Sequence, residues 1–136
     1  MSSLTVGAQL APQRYRITRA DLVRYAGASG DFNPIHWNDR TARAVGLPGV
    51  IAHGMFTMGH MAACVVAWAG DPSAVATISA QFRATVSMGQ EIVAGGRVRT
   101  VDPEARTATL DLWVSSDRGG ETEWPIKRGE ATVRLG

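Results

Sequence analysis

The chain has 136 residues, 45% of them hydrophobic and 19% charged, and this predicts one globular domain over residues 1–136. A formal net charge of +2 at pH 7 is too small to indicate a nucleic-acid partner, and no apolar run is long enough to span a bilayer. A single cysteine excludes an internal disulfide, and no signal peptide is recognisable, so we expect a cytoplasmic protein.

The first half of the chain has helical signals. A short strand is expected at residues 13–17, and a first helix follows, because Thr18 and Asp21 have capping-box spacing and Gly30 supplies a stop. The apolar stripe of this helix consists of Leu22, Val23 and Ala26. A second, short helix is expected over residues 39–45.

The stretch AHGMFTMGHMAACVVAWAGDP predicts a third helix from Gly54 to Ala69, ended by Gly70 and Pro72. Its large apolar side chains are distributed around the whole circumference: Met55, Phe56, Met58, Met61, Val65, Val66 and Trp68. A helix that is apolar on every side must be enclosed by other structure.

After Pro72 the pattern alternates between apolar and polar residues, as in strands with one buried face. In AVATISAQFRATV the residues expected to face the core are Ile78, Ala80, Phe82, Ala84 and Val86. A second strand, EIVAGGRVRTV, contains Gly95 and Gly96, which indicate a bulge. A third strand covers residues 106–116, a hairpin turn follows at DRGG, and the closing strand covers residues 130–135.

One enclosed helix and four or five antiparallel strands predict an α+β domain, in which a curved antiparallel sheet wraps around the buried central helix. The edge strands of such a sheet carry unpaired backbone groups. We therefore expect at least a dimer.

The segment SGDFNPIHWND, residues 29–39, carries two proton carriers, Asp31 and His36, around an Asn33–Pro34 turn. Three large apolar residues accompany them: Phe32, Ile35 and Trp37. Burial among such residues makes charge costly, which is how proton carriers are adjusted in active sites. From these residues alone an ordinary polar turn remains an alternative, and Asn33 fits an Asx turn before proline.

Two phrases resemble the MaoC-like family of (R)-specific enoyl thioester hydratases and dehydratases. The first is Gly-Asp-x-Asn-Pro-x-His, met here by residues 30–36, and the second is IAHGM, residues 51–55, at the start of the predicted central helix. The phrases GDFNPIHW and AHGMFTMG are most similar to the catalytic subunits of mycobacterial (3R)-hydroxyacyl-ACP dehydratase heterodimers. The resemblance covers nearly the whole chain and implies a hot-dog fold.

The resemblance implies interconversion of trans-2-enoyl and (3R)-hydroxyacyl thioesters in fatty acid metabolism, of the fatty or mycolic acid elongation type. The substrate would be carried on the phosphopantetheine of CoA or of acyl carrier protein (ACP), with no other cofactor. Asp31 and His36 would be catalytic, with His36 as the base for the α-proton and Asp31 as the acid for the departing hydroxyl. The Gly54 N–H would bind the thioester oxyanion, and the alternative is that Gly54 serves only the close packing of backbone on backbone. Asn33 would bind substrate, hold a catalytic partner or hydrogen-bond the turn backbone, and His53 would be a supporting residue.

The expected partners are the acyl thioester, a candidate ACP, and either a second copy or a second hot-dog subunit. No metal is expected, because the candidate ligands Asp31, His36, His53 and His60 include no His-x-x-x-His pair. His60 is instead expected to be a hydrogen-bonded core residue. Ala62 stands where some homodimeric relatives carry a substrate-binding serine.

Two other functions are alternatives for a chain of this fold. A hot-dog thioesterase would need a carboxylate placed at the carbonyl carbon, and the Asp-x-Asn-Pro-x-His phrase disfavours it. A non-catalytic acyl-binding subunit of a heterodimer would be expected to lack the acid–base pair, of which this chain retains both members. The physiological direction, the carrier, the acyl length and the type of dimer stay open.

Overall fold

A computed structural model describes residues 4–136, and in them five antiparallel strands form one sheet in the order β1-β3-β4-β5-β2. The helices precede β2 in the chain. The elements in chain order are β1 (Gln13–Arg16), α1 (Arg19–Ser29), a 3-10 turn (Pro34–His36), α2 (Asp39–Ala44), α3 (Gly54–Ala69), a second 3-10 turn (Pro72–Ala74), β2 (Val75–Phe82), β3 (Glu91–Asp102), β4 (Thr107–Arg118) and β5 (Glu121–Arg134).

The core lies between α3 and the inward face of the sheet, because α3 packs against β2, β3, β4 and β5. Strand β4 alternates strictly between buried and half-buried residues from Thr107 to Ser116, as its sequence predicts. The buried residues of α3 are Thr57, Met61, Cys64, Val65, Trp68 and Ala69. The predicted α+β arrangement of a sheet around a central helix is confirmed, and α3 has the predicted bounds.

The start of α1 is also as predicted. Thr18 and Asp21 form a complete capping box, and Gly30 ends the helix in the left-handed conformation at φ 76°. Val23 does not belong to the buried stripe, because it is 54% exposed while Leu22 and Ala26 are buried.

The expectation that α3 is enclosed on every side is wrong for the single chain. Met55 is 56% exposed, and Gly59, Ala63 and Ala67 are also exposed. These residues lie on one face of the helix, since they follow a spacing of four. The sheet therefore covers the opposite face and leaves this one outside the core.

Two strands differ from their predicted bounds. Strand β5 begins at Glu121 rather than at residue 130, and register shifts opposite β4 accommodate Pro125 within it. Strand β2 ends at Phe82 rather than at residue 86, with a register shift between Gln81 and Phe82. The side chain of Phe82 is 48% exposed instead of facing the core.

Gly95 and Gly96 lie in regular pairing with β4, so the bulge expected at them is absent, and the shift in β3 lies between Val98 and Thr100. These two glycines are explained by packing, because a side chain at either position would collide with a neighbouring group. A Cβ on Gly95 would lie 2.7 Å from Nε1 of Trp113, and one on Gly96 would lie 2.7 Å from the carbonyl oxygen of Asp111. The two glycines therefore let neighbouring groups lie directly on the backbone of β3.

Within residues 4–136 no helix combines the length and apolar character needed to cross a bilayer.

Candidate active site

In the loop that follows α1, Asp31 is held in place by a series of hydrogen bonds between side-chain oxygens and backbone N–H groups. The backbone N–H of Asp31 donates to Ser29 Oγ at 3.1 Å, and the Asp31 carboxylate accepts the N–H of Asn33 at 3.2 Å. Asn33 in turn accepts the N–H of Ile35 at 3.2 Å and begins the 3-10 turn. The Asn33 side-chain oxygen therefore stabilises the turn, as the Asx alternative expects.

His36 is buried at the end of this turn, and its tautomer is set by its surroundings. Nδ1 lies 2.8 Å from the carbonyl oxygen of Ile51, which can only accept, so Nδ1 carries the hydrogen. In the neutral imidazole Nε2 then carries the lone pair, and this atom lies 3.8 Å from Oδ2 of Asp31. One oxygen atom can lie within hydrogen-bond distance of both atoms, so the pair is arranged to act on a hydroxyl or a water between them.

Asp31 itself is not buried among hydrophobes, contrary to expectation. Its side chain is 55% exposed, against 9% for that of His36. Phe32 and Trp37 are 63% and 43% exposed, because both point outward from the loop and the Trp37 indole donates to the carbonyl oxygen of Phe32. In the single chain the carboxylate therefore faces open space on one side and the imidazole on the other.

His53 connects this loop to the start of α3. Its Nε2 donates to the carbonyl oxygen of Asp31 at 3.0 Å, and its ring stacks on that of His36 with centroids 3.7 Å apart. The ring of Tyr25 packs edge-on against the imidazole of His53, with ring centroids 4.8 Å apart. Nδ1 of His53 is buried and makes no hydrogen bond within residues 4–136. His53 thus contacts both Asp31 and His36.

Gly54 is the first residue of α3, and His53 is its N-cap with an extended backbone at φ −62° and ψ 140°. The N–H of the first helical residue has no acceptor within its own helix, so it is available to an oxyanion. The ring of Phe82 covers the position: a Cβ on Gly54 would lie 3.3 Å from two atoms of that ring.

Two cavities meet at these residues. One, of about 420 Å³, has a mainly apolar lining that includes Ile51, Ala52 and Val86. The other, of about 470 Å³, is lined by Tyr25, Ser29, Asp31, His53 and Met55. Both are bordered by His36, Gly54 and Phe82. The junction of the cavities therefore carries the imidazole and the helix start.

A larger depression of about 620 Å³ lies on the outer face of the sheet and includes none of the predicted site residues. Arg97 and Arg99 form ion pairs with Asp111 there, and Arg99 also pairs with Glu130. Four of the charged side chains in this depression are therefore paired with one another.

The sequence did not indicate that two further residues line the cavities of the site, Thr57 and Phe82. Thr57 is buried and borders the first cavity. Its position three residues after Gly54, on the same face of the helix, is a signal that could have identified it. The alternation of its strand predicts a core position for Phe82, but alternation does not reveal where the strand leaves the sheet.

Asp31, His36 and His53 bring potential metal ligands within 4.8 Å of one another. The stacking works against a shared ion, because imidazole nitrogens bind metals in the plane of the ring and these two rings are tilted by only 18°. An ion cannot lie in both planes unless one ring turns.

His60 lies outside this group. It stacks on Tyr15 at 4.3 Å and meets Phe56 edge-on at 4.9 Å, so its described contacts are with rings rather than the expected hydrogen bond. Burial lowers the pKa of His60, and the Asp21 carboxylate opposes that shift. Ala62 is half-buried and offers no side-chain donor, as the sequence indicates.

Residues 3–111 match the family described as MaoC like domain. The chain belongs to this family. It is 40% identical over 105 residues to 3-hydroxyacyl-thioester dehydratase X of Mycobacterium tuberculosis, a match that covers 77% of this chain and 30% of that protein. It is 32% identical over 120 residues to the (R)-specific enoyl-CoA hydratase of Rhodospirillum rubrum, covering 88% of this chain and 80% of that protein. The match thus spans less than a third of the length of the mycobacterial relative.

Solved structures agree on the fold. The (R)-hydratase from A. caviae involved in PHA biosynthesis superposes over all of both chains with a TM-score of 0.87 and 26% identity. One chain of the HadBC (3R-hydroxyacyl-ACP dehydratase) complex of M. tuberculosis matches 97% of this chain and 98% of its own length, with a TM-score of 0.74 and 14% identity. The predicted hot-dog fold of the MaoC-like family is therefore confirmed.

Proposed function

We propose that this protein is an (R)-specific hydro-lyase that interconverts trans-2-enoyl thioesters and (3R)-hydroxyacyl thioesters in fatty acid metabolism. The observation that carries the proposal is the pairing of Asp31 Oδ2 with His36 Nε2 at 3.8 Å, with the imidazole tautomer fixed by Ile51. The family membership and the names of the relatives support the same reaction class.

In dehydration, Nε2 of His36 takes the α-proton, and the electron pair of the broken C–H bond moves onto the thioester oxygen. The N–H of Gly54 stabilises that oxyanion. The electrons return to form the double bond, the β-C–O bond breaks, and protonated Asp31 gives its proton to the leaving hydroxyl, which departs as water. Hydration runs these steps in reverse, with Asp31 taking a proton from water and His36 delivering one to the α-carbon.

Every proton and electron pair in this scheme comes from the substrate, water or the two side chains. The scheme therefore involves no change of oxidation state and needs no redox cofactor, and the proposed substrate carrier is the phosphopantetheine of CoA or of ACP. A substrate in the cavity next to Asp31 would also displace water from the exposed carboxylate, which strengthens its interactions with the reacting hydroxyl. Asn33 is proposed to hold the loop, and His53 to support both catalytic side chains.

We further propose that the protein works as a dimer, with a copy of itself or with a second hot-dog subunit. Strand β2 is at an edge of the sheet, and Met55 and Phe82, both about half exposed, lie beside the proposed site. Edge strands and exposed apolar side chains favour association. A cytoplasmic location is consistent with the single reduced thiol of Cys64.

The proposal is tested by following hydration of crotonyl-CoA and longer enoyl thioesters, followed by chiral analysis of the product. Asp31→Asn and His36→Ala should each lower kcat/KM by roughly 10²–10⁴-fold, the usual contribution of positioned acid–base groups. The control is Asp102→Asn, at the end of β3 and outside both cavities, where an amide oxygen can still accept the N–H of Glu104.

Wild-type-like rates in either site variant, or a mainly (3S) product, would contradict the proposal. Release of free CoA would indicate a thioesterase instead. A chain that is inactive alone, in a complex with its copurified partner that stays fully active when Asp31→Asn or His36→Ala is introduced into this chain, would fit a non-catalytic acyl-binding subunit.

A further inference from the structure

Phe82 occupies an unusual position for a large apolar residue of a strand. It is the last residue of β2, at a register shift opposite β5, and its ring leaves the core side of the sheet to lie half exposed over Gly54. The next residue, Arg83, still bonds its N–H to the carbonyl oxygen of Pro125, so the backbone here is held in place. The Phe82 ring therefore extends from a strand end whose backbone is fixed by pairing with β5.

The contact with Gly54 is close. Two atoms of the Phe82 ring lie 3.3 Å, and a third 3.4 Å, from the position that a Cβ on Gly54 would take. The ring therefore lies against the helix start whose N–H is proposed to hold the thioester oxygen. A group bound to that N–H is therefore close to the Phe82 ring.

The two cavities of the site share the Phe82 ring as a border, together with His36 and Gly54. An acyl thioester that reacts at this junction extends in two directions, with its acyl chain on one side and its carrier on the other. The cavity lined by Ile51, Ala52 and Val86 suits the apolar chain. The carrier then leaves past the cavity that contains Asp31 and Ser29.

From this geometry we propose that Phe82 is a specificity-determining residue: its ring separates the acyl cavity from the carrier cavity and holds the first carbons of the acyl chain against His36. This inference rests on the proposed function. A short acyl chain makes most of its apolar contact beside the reacting carbons, and hence with the ring. A long chain has further contacts deep in the acyl cavity and depends less on Phe82.

The test compares Phe82→Leu with wild type on crotonyl-CoA and on trans-2-dodecenoyl-CoA. Leucine keeps an apolar side chain at residue 82 but removes the aromatic ring that lies between the two cavities. We expect kcat/KM for crotonyl-CoA to fall about 10-fold and that for the dodecenoyl thioester to change less than about 2-fold, because one hydrophobic contact near the reacting atoms changes discrimination by that order. The ratio of the two values should therefore shift by roughly 5-fold or more.

Trp124→Leu is the matched control, since it replaces another partly exposed aromatic residue, on β5, that borders neither cavity. It should leave the ratio unchanged. An equal loss on both substrates in Phe82→Leu, or the same shift in Trp124→Leu, would overturn the inference while leaving the proposed function intact.

Binding of the unreactive butyryl-CoA and dodecanoyl-CoA, measured by titration calorimetry, provides a readout that does not depend on turnover. Phe82→Leu should weaken butyryl-CoA binding relative to dodecanoyl-CoA binding. If wild type hydrates neither enoyl thioester, the proposed function fails and the calorimetric ratio alone decides the inference: an unchanged ratio overturns it.

Discussion

The imidazole rings of His36 and His53 lie face to face, with centroids 3.7 Å apart and planes tilted by 18°. His53 also donates from Nε2 to the backbone carbonyl of Asp31. One residue at the start of α3 therefore restrains both members of the acid–base pair, one through its backbone and one through its ring. His53 therefore makes two distinct contributions, the ring stacking and the hydrogen bond. Different substitutions of His53 can remove each of them separately.

We expect His53→Phe to keep the stacking and lose the hydrogen bond, while His53→Gln keeps a donor at the position of Nε2 and loses the ring. Loss of the hydrogen bond should lower kcat by about 10–100-fold, because small displacements of reacting groups are costly, and should lower the free energy of unfolding by about 1 kcal/mol. The pH profile of kcat/KM should keep its shape in both variants.

Steady-state kinetics across pH check these expectations. A shifted or flattened limb of the profile in His53→Phe would mean that His53 carries a proton in the reaction. A profile and a rate equal to wild type in both variants would mean that neither contact positions the site.

Assembly provides a second prediction. The exposed face of α3 and the edge strand β2 lead us to expect a species of at least twice 14.5 kDa by light scattering. Copurification with the products of neighbouring genes distinguishes a second copy from a second hot-dog subunit. A stable monomer with full activity would contradict the proposed assembly.

A third prediction concerns His60. Burial lowers its pKa below the ordinary value of 6.5, so in the window just below that value the unfolded chain binds a proton that the folded chain does not. The contribution of His60 to stability is therefore present above this window and is lost as the pH falls through it. His60→Phe, which keeps ring contacts with Tyr15 and Phe56, should lose less stability than wild type between about pH 7.5 and about pH 5.

Urea unfolding of both proteins at the two pH values measures this difference. Carboxylates whose folded pKa values are lowered, such as Asp21 and Asp39, also reduce stability at acid pH, but they are common to both proteins. Equal losses in wild type and His60→Phe would show that protonation of His60 is not linked to folding.

Local signals predicted the elements that are defined by local chemistry. The bounds of α1 and α3 are set by neighbouring residues: the capping box at Thr18, the left-handed Gly30 and the glycine that follows Ala69. The local sequence was therefore sufficient to predict these bounds. The motif from Asp31 to His36 was likewise visible, because its caps and turn all lie within a few residues.

Relationships between distant segments were not predictable in the same way. The sequence does not reveal that the Phe82 ring lies over Gly54, that Trp113 covers Gly95, or that register shifts carry β5 past Pro125. Each depends on strand register, which is set by the whole sheet. The exposure of Asp31 was missed for a related reason: alternation and motif show which residues are apolar but not which way a loop turns them.

The last prediction isolates the N–H of Gly54. Gly54→Pro removes that hydrogen, and proline is well tolerated at the first helical position, where the N–H has no intrahelical acceptor. His53 already has the extended backbone that proline imposes on the residue before it. Catalysis should fall by about 10²–10³-fold, the typical loss on removing one oxyanion donor, while the fold is kept.

Crowding must be separated from the loss of the donor, because any Cβ at residue 54 lies 3.3 Å from the Phe82 ring. Gly54→Ala introduces the same contact and keeps the N–H, so it is the first control. Combining each variant with Phe82→Leu relieves the contact in both and gives a second comparison. The proline chain should stay slower than the alanine chain in both backgrounds, whatever the contact costs. If the folded proline variants turn over as fast as the alanine variants, the Gly54 N–H holds no oxyanion and Gly54 is retained only to make room for Phe82.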